Sequence, residues 1–112
     1  MEYRDLYDEN RNLTGEIIEK GKKIPSGRYI LVVMIFIENS NGQFLIQKRS
    51  AEKGGKWATT GGHPKSGESS IEGICVEVEE EIGLKITKSE PTLFQTIKTN
   101  ETFLDLYYIK KM

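Results

Sequence analysis

The chain's scarcities narrow its class before any motif is read. Its 112 residues include one cysteine, one histidine and three prolines. A lone cysteine, Cys75, cannot form an intrachain disulfide and fits a reducing compartment. A lone histidine, His63, excludes a metal centre built from several histidines of this chain. No apolar run approaches the roughly 20 residues that a membrane helix needs. The longest, Ile30 to Ile37, is the size of a strand. The opening stretch MEYRDLYDEN is acidic and polar, unlike a secretory signal. A net charge of −1 does not suit a protein that coats a nucleic acid polymer. The expectation is a cytoplasmic protein whose partners are neither membrane nor nucleic acid polymer.

What is present is ordinary in composition, with 29% charged and 37% hydrophobic residues, and the length suits one domain over residues 1–112. Tyr3 to Asp8 and Thr14 to Gly21 read as strands on either side of the turn residues Glu9-Asn10-Arg11-Asn12. Arg28 to Glu38, rich in Ile and Val, is the strongest strand. Asn39-Ser40-Asn41-Gly42 is a hairpin turn leading into a return strand over Gln43 to Arg49, with Phe44, Ile46 and Lys48 alternating against Leu45 and Gln47. Trp57 to Thr60 reads as a short strand running into Gly61-Gly62. Further strands are expected at Leu84 to Thr87, Thr92 to Lys98 and Thr102 to Lys110.

One helix is expected, over about Ser69 to Ile82. Ser69 and Glu72 are spaced for a capping box, and Gly83 is placed to end the helix in a left-handed conformation. Ile71, Ile74, Cys75, Val78 and Ile82 make one apolar stripe. Gly73 and the β-branched Ile74, Val76 and Val78 make it a poor helix by propensity, so packing must hold it. Strands, one helix and more strands define an α+β domain on a mixed sheet.

Charge is concentrated around this helix. Between Lys65 and Lys85 lie six glutamates (68, 72, 77, 79, 80 and 81) and no basic residue. Like charges at helical spacing repel, so a cation is the missing partner. Glu77, Glu80 and Glu81 share one face and can present three carboxylates together. Hard divalent cations such as Mg²⁺ take such oxygen ligands, typically one or two carboxylates plus substrate phosphates. Gly62 can bring its backbone close without a side chain in the way, and Glu68 sits just ahead of the helix N-terminus, where a carboxylate suits the dipole. Lys48, Arg49, Lys53 and Lys56 form a basic cluster before the acidic stretch, which could face an anionic substrate. Arg49 and Lys56, with His63 in the glycine-rich loop, are the candidate substrate contacts, against the plainer reading of solvated or hydrogen-bonding surface residues.

The stretch from Gly62 to Leu84, GHPKSGESSIEGICVEVEEEIGL, resembles the Nudix box of the Nudix hydrolases, G-x5-E-x7-R-E-U-x-E-E-x-G-U with U aliphatic. Every position fits except Val76, which stands where the family has arginine. The resemblance extends to the hairpin Phe44 to Arg49 and to Lys56-Trp57. It implies a Nudix-type mixed sheet with one principal motif helix, and hydrolysis of the phosphoanhydride of a nucleoside diphosphate linked to another group. It implies Glu77 and Glu81 as metal ligands, Glu80 as a further ligand or the base that deprotonates water, Gly62 as a carbonyl ligand and Glu68 as support. The cofactor would be Mg²⁺, with Mn²⁺ as a substitute.

In the family the motif arginine orients the glutamates by charge-assisted hydrogen bonds. Valine makes none, so reduced activity is expected, and the alternative reading is a catalytically weak or inactive Nudix-fold module for nucleotide binding or interaction. Nudix domains continue through another strand and a helix that often supplies one more acidic ligand. This chain is expected to lack both; Glu101 and Asp105 are its last acidic candidates, and a homodimer could cover the edge or sheet face left open. His63-Pro64 is similar to a segment of isopentenyl diphosphate isomerases, a Nudix-fold branch. Gly61, however, stands where those enzymes carry a reactive cysteine.

Overall fold

The β-branched stretch of the sequence becomes the strand on which everything else is hung. The computed structural model describes residues 2–48 and 57–111. Its elements are β1 (Tyr3–Tyr7), β2 (Leu13–Glu19), β3 (Ile30–Glu38), β4 (Gln47–Lys48), β5 (Trp57–Ala58), β6 (Thr60–Gly62), α1 (Ser70–Ile82), β7 (Thr92–Lys98) and β8 (Thr102–Lys110). The main sheet has the order β6-β3-β8-β7, while β1-β2 and β4-β5 form separate two-stranded ladders. β3 and β8 run parallel in unbroken register from Ile30↔Thr102 to Glu38↔Lys110, and both outer pairings are antiparallel. A parallel pair needs a long crossover, and here that crossover carries α1.

Alternation along β3 and β8 separates two faces. Val33, Ile35, Ile37, Tyr107 and Ile109 point to one side and pack with Ile74 and Val78 of α1. Val33, Ile35, Ile74 and Val78 are fully buried, each worth about 1.5–3 kcal/mol relative to exposure. On the other side Phe36 and Tyr108, joined by Phe44, Ile46 and Phe94, line an apolar cleft of about 720 Å³.

The helix ends as its sequence implies. The Ser69 hydroxyl accepts from the Glu72 amide while the Glu72 carboxylate accepts from the Ser69 amide, and Gly83 adopts φ 70° with its N–H on the Glu79 carbonyl. Gly73 has a reason that propensity hides: a Cβ there would lie 2.7 Å from Cγ of the buried Pro64. The helix can approach the loop before it only through a glycine.

Three expectations change. The return strand over 43–49 shrinks to a Glu38–Phe44 bridge, a Leu45 N–H bond to the Ile37 carbonyl, and β4; residue 49 lies outside the described residues. The cause is competition for one edge of β3, since β6 occupies Val33 to Ile35 and leaves the hairpin nothing further to pair with. Second, the strand expected up to Thr60 divides, β5 pairing with β4 and β6 with β3. Third, residues 84–87 form no strand; Leu84 and Ile86 use their alternation to pack on the core without joining a ladder.

Candidate active site

The glutamates are presented by a loop and a helix that the amino-terminal hairpin holds in place. Asp5 of β1 accepts hydrogen bonds from Ser66 Oγ at 2.7 Å and the Gly67 amide at 3.0 Å, and the Ser66 amide donates to the Tyr3 carbonyl at 2.7 Å. Inside that loop the Glu68 carboxylate accepts from the Lys65 amide at 2.7 Å, closing a turn that Gly67 completes at φ 89°. Glu68 thus supports the loop and is directed at its backbone.

The structure brings Gly62 against Glu77, with Glu81 one helical turn further on. A Cβ on Gly62 would fall 2.5 Å from Glu77 Oε1, so the end of β6 and the first glutamate of the helix face share a space only glycine allows. Burial, a hydrogen bond with the Glu81 carboxyl, and the charges of Glu81 and Glu80 push the Glu77 carboxyl up to about 7, with Lys65 acting in the other direction. Two acidic groups in contact and a third nearby raise the electrostatic cost of ionising all three. A hard, oxygen-binding dication is the chemistry that relieves it. Glu77, Glu81 and the Gly62 backbone fit such an ion. Glu80 instead lies beside Lys65, whose Nζ is 3.9 Å from its carboxylate. Among the described residues, no three acidic, histidine or cysteine side chains already converge on one ion-sized point.

Glu81 has a partner that the motif does not include. Gln47 Nε2 donates to Glu81 Oε1 at 2.6 Å and reaches Thr60 Oγ1 at 3.3 Å. Strand alternation placed Gln47 opposite Phe44 and Ile46, but not which helix residue it meets, 34 positions away. Lys65 and Asp5 are likewise not among the candidates that the sequence singles out; nothing local distinguishes them.

Other candidates lie elsewhere. Val76 opens on a cleft of about 420 Å³ with Glu68, Glu72, Cys75 and Lys88, where Lys88 pairs with Glu72 at 3.1 Å. Cys75 is half-buried and burial raises its thiol pKa. Burial also lowers the pKa of His63, aided by Arg4 and Lys20 and opposed by Glu2, so its charged neighbours belong to the amino-terminal hairpin. Arg49 and Lys56 lie outside the described residues. Asp105 is no spare ligand: it is fully buried, and both its oxygens are taken by Arg11, Ser70 and Thr96.

The arrangement defines a class: an α+β domain in which a glycine-rich strand end and one capped helix carry a carboxylate cluster on a mixed sheet. A family model described as the NUDIX domain matches residues 28–111. The chain belongs to the Nudix family, whose hydrolases typically cleave nucleoside diphosphate derivatives and generally use divalent cations. It is 37% identical to an uncharacterized Nudix hydrolase of Listeria monocytogenes, an alignment covering 99% of this chain and 68% of that one. An isopentenyl-diphosphate delta-isomerase of Pectobacterium atrosepticum is 36% identical over 71% of this chain and 46% of its own. The crystal structure of the protein DR0079 from Deinococcus radiodurans superposes with a TM-score of 0.81 at 24% identity, covering 99% of this chain and 73% of that one, which bears on the fold alone.

Proposed function

We propose that the protein is a Mg²⁺-dependent hydrolase that cuts the phosphoanhydride of a nucleoside diphosphate linked to another group. The observation that carries this reading is the Glu77 carboxyl packed against the backbone of Gly62, with Glu81 one turn further along the same helix. A dication bound there would offset phosphate charge and make water easier to deprotonate. Glu77 and Glu81 would hold that ion, and the Gly62 carbonyl would add a neutral oxygen. Glu80, outside the pair, accepts the proton of the water that attacks phosphorus. Lys65, 3.9 Å from Glu80, would be free to meet phosphate charge once the ion pair opens. Glu68 keeps the loop before the helix closed. Arg49, Lys56 and His63 are the proposed substrate contacts.

The test is Mg²⁺-dependent release of phosphate or monophosphate from a panel of dinucleotides, nucleoside diphosphate sugars and nucleoside triphosphates. Turnover of at least one class is expected, with Glu80→Gln and Glu81→Gln each lowering kcat by roughly 100-fold or more. Either variant retaining full turnover would sink the assignment. Val76 favours one other reading, a binding module with little turnover. Measurable nucleotide affinity without cleavage of any panel member would select it. A homodimer is proposed over the apolar sheet face, and a monomer by sedimentation across the micromolar range would exclude it.

A further inference from the structure

The box of this protein lacks its arginine, and position 76 faces a cleft on a different side of the helix from the Glu81 contact. Among the described residues, the neutral side chain that donates to Glu81 is Gln47. Its geometry is over-determined from three directions. Gln47 sits on β4 opposite Ala58 of β5, its amide reaches the buried Thr60 of β6, and the same amide grips the carboxylate in the last turn of α1. The orientation of that amide follows from chemistry. An ionised carboxylate only accepts, so the NH₂ end must face it; a reversed amide would set two acceptors against each other.

We propose that Gln47 is the positioning residue of Glu81. It holds Oε1 with a neutral donor and so leaves Oε2 to face the divalent cation, a task for which Val76 has no group. The neutrality matters. An arginine at the same place would fix the carboxylate but cancel the charge the ion needs, whereas an amide fixes it and leaves the full charge available. Outer-shell donors of this kind typically set metal affinity by about 10- to 100-fold.

This rests on the hydrolase reading, and the experiment separates the two. Wild-type protein, Gln47→Leu, Gln47→Ser and Glu81→Gln are titrated with Mn²⁺, free ion being read by electron paramagnetic resonance, and each is melted with and without Mn²⁺. The expected result is Mn²⁺ affinity lower by roughly 10-fold or more in both Gln47 variants. Their metal-free Tm should stay near wild type, their Mn²⁺-induced rise in Tm should shrink, and Glu81→Gln should bind weakest. With an active substrate, kcat should fall at saturating Mn²⁺ while KM stays within about twofold, because Gln47 acts on the ligand and not on the nucleotide. Wild-type affinity in both Gln47 variants, alongside a loss in Glu81→Gln, overturns the role of Gln47 and leaves the hydrolase reading standing. Wild-type affinity in Glu81→Gln overturns both, since Glu81 then holds no ion. A lowered metal-free Tm with unchanged affinity shows Gln47 to be merely structural and overturns the proposal.

Discussion

Single side chains here divide into those that hold the site and those that hold the fold, and the two respond differently to the same kind of change. Gly62→Ala places a methyl against the carboxyl of Glu77, the movable end of a flexible side chain. The protein should therefore tolerate it, with Tm within a few degrees of wild type, while Mn²⁺ affinity drops about tenfold or more as Glu77 is displaced. Unchanged affinity would remove Glu77 from the ligand set. Asp105 answers to stability. Desolvation works to raise its pKa, but hydrogen bonds from Arg11, Ser70 and Thr96 outweigh it and the net shift is downward. A carboxyl with a depressed folded-state pKa contributes stability above its unfolded value, near 3.9, and that contribution is lost as pH falls through the folded-state value. Asp105→Asn should cost about 2–3 kcal/mol at pH 7. The gap from wild type should narrow as acid titrates Asp105, and denaturant melts at pH 7 and below pH 4 measure both. A gap that widened in acid would contradict the assignment.

Whole elements show which information travels along the chain and which does not. The helix was legible because its signals are local: Ser69 and Glu72 at one end, Gly83 at the other, and a stripe led by Ile74 and Val78 between them. Ligand candidates on one helix were legible for the same reason. The contacts that fix them were not, because Gln47–Glu81 and Arg11–Asp105 join positions 34 and 94 apart and depend on which strands become neighbours. Asp105 read as a spare acid, since a charge on a strand does not announce its partner. The 43–49 strand failed because hairpin chemistry cannot reveal that β6 already holds part of the same edge. Propensity alone also misjudges Gly73. Alanine would gain about 1 kcal/mol in helix formation, yet its methyl would press into the Pro64 ring, an overpacking cost of about 1–3 kcal/mol. Gly73→Ala is therefore expected to lower Tm, and a rise would show that the loop can retreat freely.

At the scale of the molecule, the parallel ladder of β3 and β8 encloses the rest: the loop, the helix and every proposed ligand lie between Glu38 and Thr102. Gly62 is delivered by a strand on one edge of β3, and the back of α1 rests on the residues that β3 and β8 turn toward it. Geometry among the glutamates is thus set by a pairing to which none of them contributes. That topology also has a meaning in time. On the ribosome, Ile30 to Ile37 emerge about seventy residues before the strand that pairs with them. At roughly 5–20 residues per second the wait lasts several seconds. Throughout it the nascent chain carries its most apolar segment without its main partner, and the acidic helix has only the β3 half of its floor to rest on. Once β8 pairs with β3, the floor beneath the proposed ligands is complete.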